Sequence, residues 1–137
     1  MGKKQKLVRL RNKIIDDVYK KRWEEVWFYP KHGTIKGWEG AGDVMFVGLN
    51  PATANFGGFH DTLYYESLRK FGFQNAHLTD IFKLKRVNKD IDELLKRKDH
   101  KKEAKKFLRE EIKILNPKII ILFFGHTIIL RLFYLYS

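Results

Sequence analysis

Cysteine is absent from this chain of 137 residues. Disulfides, thiolate zinc sites and cysteine-ligated iron–sulfur clusters are therefore excluded. Acidic residues are scarce: 16 Asp and Glu stand against 28 Lys and Arg, leaving a formal charge of +12 and a sequence pI near 9.9. A field of that sign attracts polyanions, nucleic acid first and an acidic membrane surface second. No internal repeat, low-complexity tract or second domain is visible. A chain of this length suits one domain with a single core. The one long apolar run, Ile119 to Tyr136, is interrupted by Gly125-His126 and contains Arg131. A membrane span needs about 20 continuous apolar residues, so this run reads as a buried strand over 119–124, a turn, and a helix from about Thr127. The basic, polar N-terminus shows no signal-peptide pattern, which predicts a cytoplasmic location without membrane attachment.

Helical spacing of Leu7, Leu10, Ile14, Ile15, Val18, Trp23 and Trp27 predicts a helix over about 6–27, ended by Tyr29-Pro30. An irregular connector carrying Trp38 follows. Val44 to Leu49 reads as a buried strand, and Thr62 to Phe71 as a helix contacting the core through Leu63, Leu68 and Phe71, with Gly72 as its stop. A second strand is expected within 75–82. A helix over 101–115 follows, with Ala104, Phe107, Leu108, Ile112 and Leu115 on its apolar face and a solvated stripe from Lys101 to Lys113. Asn116-Pro117 stops it, and a third strand begins at Ile119. Alternating helices and strands predict a three-layer α/β/α fold with a short, mainly parallel sheet.

The most informative segment runs from Asp43 to Asp61. A buried strand ends abruptly in Asn50-Pro51 and passes into a glycine-rich loop carrying Phe56, Phe59, His60 and Asp61. Ligands of open parallel sheets bind beyond the carboxyl ends of strands. Pro51 biases Asn50 toward an extended backbone, which presents its amide at the strand tip. The loop lacks Gly-x-x-x-x-Gly-Lys-Ser/Thr, which argues against a nucleoside-triphosphate P-loop. No spacing of His, Asp and Glu makes a metal site, and no cofactor is expected.

Three segments, in order, resemble the uracil-DNA glycosylase superfamily, especially its mismatch-specific uracil/thymine branch. Val47-Gly48-Leu49-Asn50-Pro51 is similar to that branch's strand-end motif. His77 to Lys83, followed by Asp92-Glu93-Leu94, is similar to its second strand and next helix. Pro117 to His126 is similar to its third strand. The resemblance spans about residues 43–136. It implies a single domain over 1–137 that hydrolyses the glycosidic bond of uracil, or a related damaged or mispaired base, flipped out of DNA in base excision repair. By this resemblance Asn50 holds the attacking water and contacts the base. Phe59, with Phe56 second, offers the stacking platform a flipped base requires. Asp80 reads a base edge, and Lys83, Lys85 and Arg86 engage DNA phosphates. The residues also fit plainer roles: Asn50 a loop cap, Phe59 the core, Asp80 a turn.

Two departures from the family pattern stand out. Ala52 replaces the glycine that usually follows Asn-Pro. The family continues to a fourth strand and a loop entering the minor groove, which nothing here matches, so weak or absent turnover is expected of this short form. A non-catalytic nucleic-acid-binding relative, or a small nucleotide- or phosphate-binding α/β protein, is the alternative. The apolar helix over 127–136, with no chain left to cover it, predicts a homodimer through the C-terminal third.

Overall fold

A computed structural model of the chain describes residues 1–19, 26–49, 59–84 and 98–122, with backbone alone at 17–19, 59–60 and 98–99. Helix α1 (Lys3–Lys13) buries Leu7 and Leu10, and Ile14 extends the same stripe into a π-type turn over Ile14–Tyr19. The helix does not reach Trp27 as its spacing predicts. Val26 is already extended and bridges Leu84 in antiparallel sense, and the Trp27 N–H donates to the Lys83 carbonyl at 2.9 Å. The β-branched and aromatic run Val26 to Tyr29 favours extended backbone, and Pro30 bars a helix through it.

A short 3₁₀ turn at Gly37–Glu39 carries the buried Trp38. The strands are β1 (Val44–Gly48), β2 (His77–Asp80) and β3 (Ile119–Leu122), all parallel in the order β2-β1-β3. Helix α2 (Phe59–Lys70) links β1 to β2, and α3 (Lys98–Leu115) precedes β3. The strand order reverses direction at β1. Right-handed crossovers then place α2 and α3 on opposite faces, giving the expected α/β architecture.

Period-two alternation distributes the strands' side chains between the two faces. Met45 and Val47 join Leu7, Leu10, Trp38, Ala104, Phe107, Leu108 and Leu115, whereas Phe46 and Leu78 pack with Ile35, Tyr65 and Leu68. Helix α2 buries Leu68 as expected, but Leu63 and, just past its end, Phe71 are exposed, and Tyr65 is buried in their place. It stops as predicted. Gly72 adopts φ +81°, and the Phe73 and Gly72 N–H groups close back on the Leu68 and Arg69 carbonyls at 2.8 and 3.2 Å, a Schellman ending. Among the described residues no helix is long and apolar enough to cross a membrane.

Trp38 is the joint between layers. Its indole N–H donates to the Leu7 carbonyl at 2.8 Å, and its backbone N–H donates to the Tyr29 carbonyl at 2.9 Å. The preceding Gly37 has φ +65°, and a Cβ there would lie 2.5 Å from both the Tyr29 and Pro30 carbonyl oxygens. Gly72 also has positive φ, but a Cβ there would meet open space. Gly72→Ala is therefore expected to lose only the backbone term of about 1–2 kcal/mol. Gly37→Ala should lose clearly more, because carbonyls must also move. Urea unfolding of the two variants gives the comparison, and equal losses would contradict the crowding at Gly37.

Candidate functional site

The carboxyl ends of β1 and β2 lie side by side, with Gly48 paired to Asp80. The pairing continues past the strands, as the Ile81 and Phe82 N–H groups donate to the Gly48 and Leu49 carbonyls at 3.0 Å each. Asp80 follows Leu78 on the α2 side of the sheet, and its side chain is buried among aromatic rings. The Tyr29 hydroxyl donates to its Oδ1 at 3.5 Å, the outer limit of a hydrogen bond. Tyr29 stands edge-on to Trp27 at 4.6 Å and to Tyr64 at 6.0 Å. The second carboxyl oxygen, Oδ2, is buried without a hydrogen-bond partner among the described residues.

An unsatisfied buried carboxylate oxygen is costly, and protonation lowers that cost. Burial pushes the Asp80 carboxyl up to about 7. The Lys83 ammonium opposes this, the Glu111 carboxylate adds to it, and the Tyr29 hydrogen bond opposes it. Burial, followed by the charge of Asp80, also raises the Tyr29 and Tyr64 hydroxyls, so both stay protonated donors. The result is an acid near neutrality at a strand's carboxyl end, flanked by phenols.

Beneath it lies a buried ionic network on the α3 side. Glu111, fully buried, receives His77 Nε2 at 2.9 Å and lies 2.8 Å from the Lys83 ammonium. The Lys83 contact is a close ion pair without the angular geometry of a directed hydrogen bond. His77 Nδ1 faces the Trp38 carbonyl at 2.7 Å. The ring is thus held at both nitrogens, between the Trp38 carbonyl and the Glu111 carboxylate. Burial alone would push the Glu111 carboxyl up. The Lys83 charge and the hydrogen bond and charge of His77 outweigh it and hold Glu111 below its ordinary range. Lys83 also donates to the Asp80 carbonyl at 2.7 Å and sits 5.6 Å from the Trp38 ring centroid.

Lys83 therefore cannot meet a DNA phosphate as the sequence suggests: it is 1% exposed and its charge is spent on Glu111. The order of elements puts Asp80 at the carboxyl ends, as expected. Asn50, Phe56, Lys85, Arg86, His126 and the helix over 127–136 lie outside the described residues. So do the side chains of Phe59 and His60, although Phe59 opens α2. Sequence reasoning missed Glu111 and His77. Glu111 carried a usable signal, because it occupies the inward stripe 104-107-108-111-115, where an acid demands a buried partner.

No protein-family model matches the chain, and no curated protein sequence matches it. The site therefore rests on its own geometry.

Two measurements test that geometry. Removing one partner of a buried ion pair strands the other charge, so Lys83→Met should lose about 3–5 kcal/mol of stability. A solvated phosphate contact would instead leave stability nearly unchanged. Asp80 binds a proton in the folded chain up to about 7 but in the unfolded chain only to about 3.8, so it favours folding below that window and loses the contribution as pH rises through 7. Glu111 has the opposite sign: its contribution is present above its ordinary value of 4.5 and is lost in acid. Stability measured from pH 5 to 8 should fall less in Asp80→Asn than in the wild type. Parallel curves would show that Asp80 does not titrate there.

Proposed function

We propose that this chain is a nucleobase-recognising domain of the uracil-DNA glycosylase type, acting on uracil or a related damaged or mispaired base flipped out of DNA. The observation that carries the reading is Asp80. It is a buried carboxyl at the end of β2 with its pKa raised to about 7, one oxygen without a partner among the described residues, and Gly48 of β1 beside it. A neutral carboxyl offers one donor and one acceptor. The uracil edge presents a carbonyl acceptor beside an N3–H donor, so the two are complementary.

In this reading the base stacks on Phe59, with Phe56 second, and Asp80 reads its edge. Asn50 follows β1 by two residues and holds the attacking water. The C1′–N bond breaks with its electron pair leaving on the base, and water supplies hydroxyl to C1′ and a proton to the base. Positioning and fixed dipoles, rather than a strong base, provide the acceleration. The charge of +12 supports DNA as the carrier of the base.

The test is excision of uracil from single-stranded and U·G-mispaired DNA, paired with binding to matched strands with and without uracil. Asn50→Ala should lower excision by about 100-fold or more, while retention of duplex at low salt stays nearly unchanged. Binding without turnover, but with a preference for uracil, would place the chain with the non-catalytic relatives. Neither excision nor a uracil preference, or robust excision by Asn50→Ala, would overturn the reading.

A further inference from the structure

The opposite end of the sheet holds a different kind of site. Lys4, Lys31, Lys36, Glu39, Gly42 and Asn75 line a cavity of about 350 Å³ in front of the amino ends of β1 and β2. Its walls are built by backbone bonding. The His32 N–H donates to the Ile35 carbonyl at 3.0 Å and the Ile35 N–H returns to His32 at 3.1 Å, closing a tight turn with Lys31 and Lys36 just outside its two ends. The Lys36 N–H is tied to the Gln74 carbonyl at 3.0 Å, and the Gly42 N–H to the Asn75 carbonyl at 2.8 Å. A Cβ at Gly42 would approach that carbonyl oxygen to 2.9 Å, so the floor of the cavity depends on glycine.

The charges do not balance. Glu39 is the cavity's one carboxylate, and it is shared between Lys4 at 3.8 Å and Arg11 at 4.0 Å. Among the described residues, neither Lys31 nor Lys36 has a carboxylate within ion-pair distance. Ammonium groups gathered around one concavity repel each other unless an anion lies between them. A phosphate group meets several of them at once through separate oxygens, and lysines bind phosphate as point charges without demanding bidentate geometry. The volume lies at the lower end of the range for small-ligand sites.

We propose that this cavity is a phosphate-binding site, formed by Lys31 and Lys36 with Lys4 and the Asn75 amide, that takes either a nucleic-acid phosphodiester or the phosphate of a small ester. It lies at the far end of the strands from Asp80 and does not depend on the base-recognition reading.

The test uses an undamaged, uracil-free oligonucleotide, so its failure is separate from that of the glycosylase reading. Lys31→Glu/Lys36→Glu is compared with Lys105→Glu/Lys106→Glu, an equal charge change on the exposed face of α3. The cavity variant should weaken oligonucleotide binding by about tenfold or more and flatten its salt dependence by about two charges. The α3 variant should show a clearly smaller loss. Pyrophosphate should compete for the same site in calorimetry. Loss of both ligands in the cavity variant identifies a phosphodiester site. Loss of pyrophosphate alone identifies a small-ester site. Equal losses in both double variants, or no pyrophosphate binding by the wild type, would show only a diffuse field and overturn the proposal. Lys31→Ala, at an exposed position, makes the same comparison should the double reversal fail to fold.

Discussion

Glu111 is a carboxylate without solvent, and much of the described structure is arranged around that fact. Taking such a charge out of water costs several kcal/mol unless partners stand within contact distance. Here they come from two places in the chain: the His77 ring at the start of β2 and the Lys83 ammonium from the turn after it. Both residues are therefore bound to α3. His77 passes the constraint to the Trp38 carbonyl, and Trp38 passes it to α1 through the Leu7 carbonyl. One buried charge thus joins α3, β2, the 3₁₀ turn and α1. The network also explains why the turn after β2 is fixed: Lys83 holds the Asp80 carbonyl while its own carbonyl receives the Trp27 N–H.

That fixed turn has a consequence for Asp80. Its main chain is held from below, so its side chain stays on the aromatic side of the sheet. There the raised pKa follows from local burial and not from the overall charge of the protein, which would favour the ionised form. The cavity lysines sit at the far end of strands four or five residues long. That is about 13–17 Å at a strand's rise per residue, beyond the Debye length of about 8 Å at physiological salt. The cavity lysines therefore add little to the field at Asp80, where the close cation is Lys83 and burial outweighs it.

Strands β1 and β3 were legible as continuous apolar runs, although of the two only β1 is buried: Ile119 of β3 is exposed and Ile120 to Leu122 are half-buried. The end of α3 was legible because Asn116 adopts φ 45° immediately before Pro117, a chemistry that admits few alternatives. The inner face of α2 was not, because Leu63 and Phe71 outrank tyrosine on any apolar scale. Yet Tyr65 is the residue that reaches the Pro30 carbonyl, at 2.7 Å, while burying its ring. The N-terminal helix was overextended because Trp23 and Trp27 continue its spacing, whereas Val26 and Trp27 belong to a pairing with residues more than 50 positions away. Lys83 was misassigned for the same reason. A basic residue next to a strand end looks like a surface contact until its partner, Glu111 on another element, is known.

The strand order adds a final constraint on the candidate site. With the order β2-β1-β3, the chain reverses direction at β1, and the crevice where such sheets receive ligands opens between the carboxyl ends of β1 and β3. Asp80 lies on the other side of β1, one strand removed from that crevice. A ligand resting in the crevice would meet Asp80 only if it also crossed the tip of β1, and the residue next past that tip, after Leu49, is Asn50. Base recognition by Asp80, as proposed, therefore requires the base to lie over β1 itself. On the proposed reading Asn50 and Asp80 act as a pair, the one addressing the bond to be broken and the other the base that leaves.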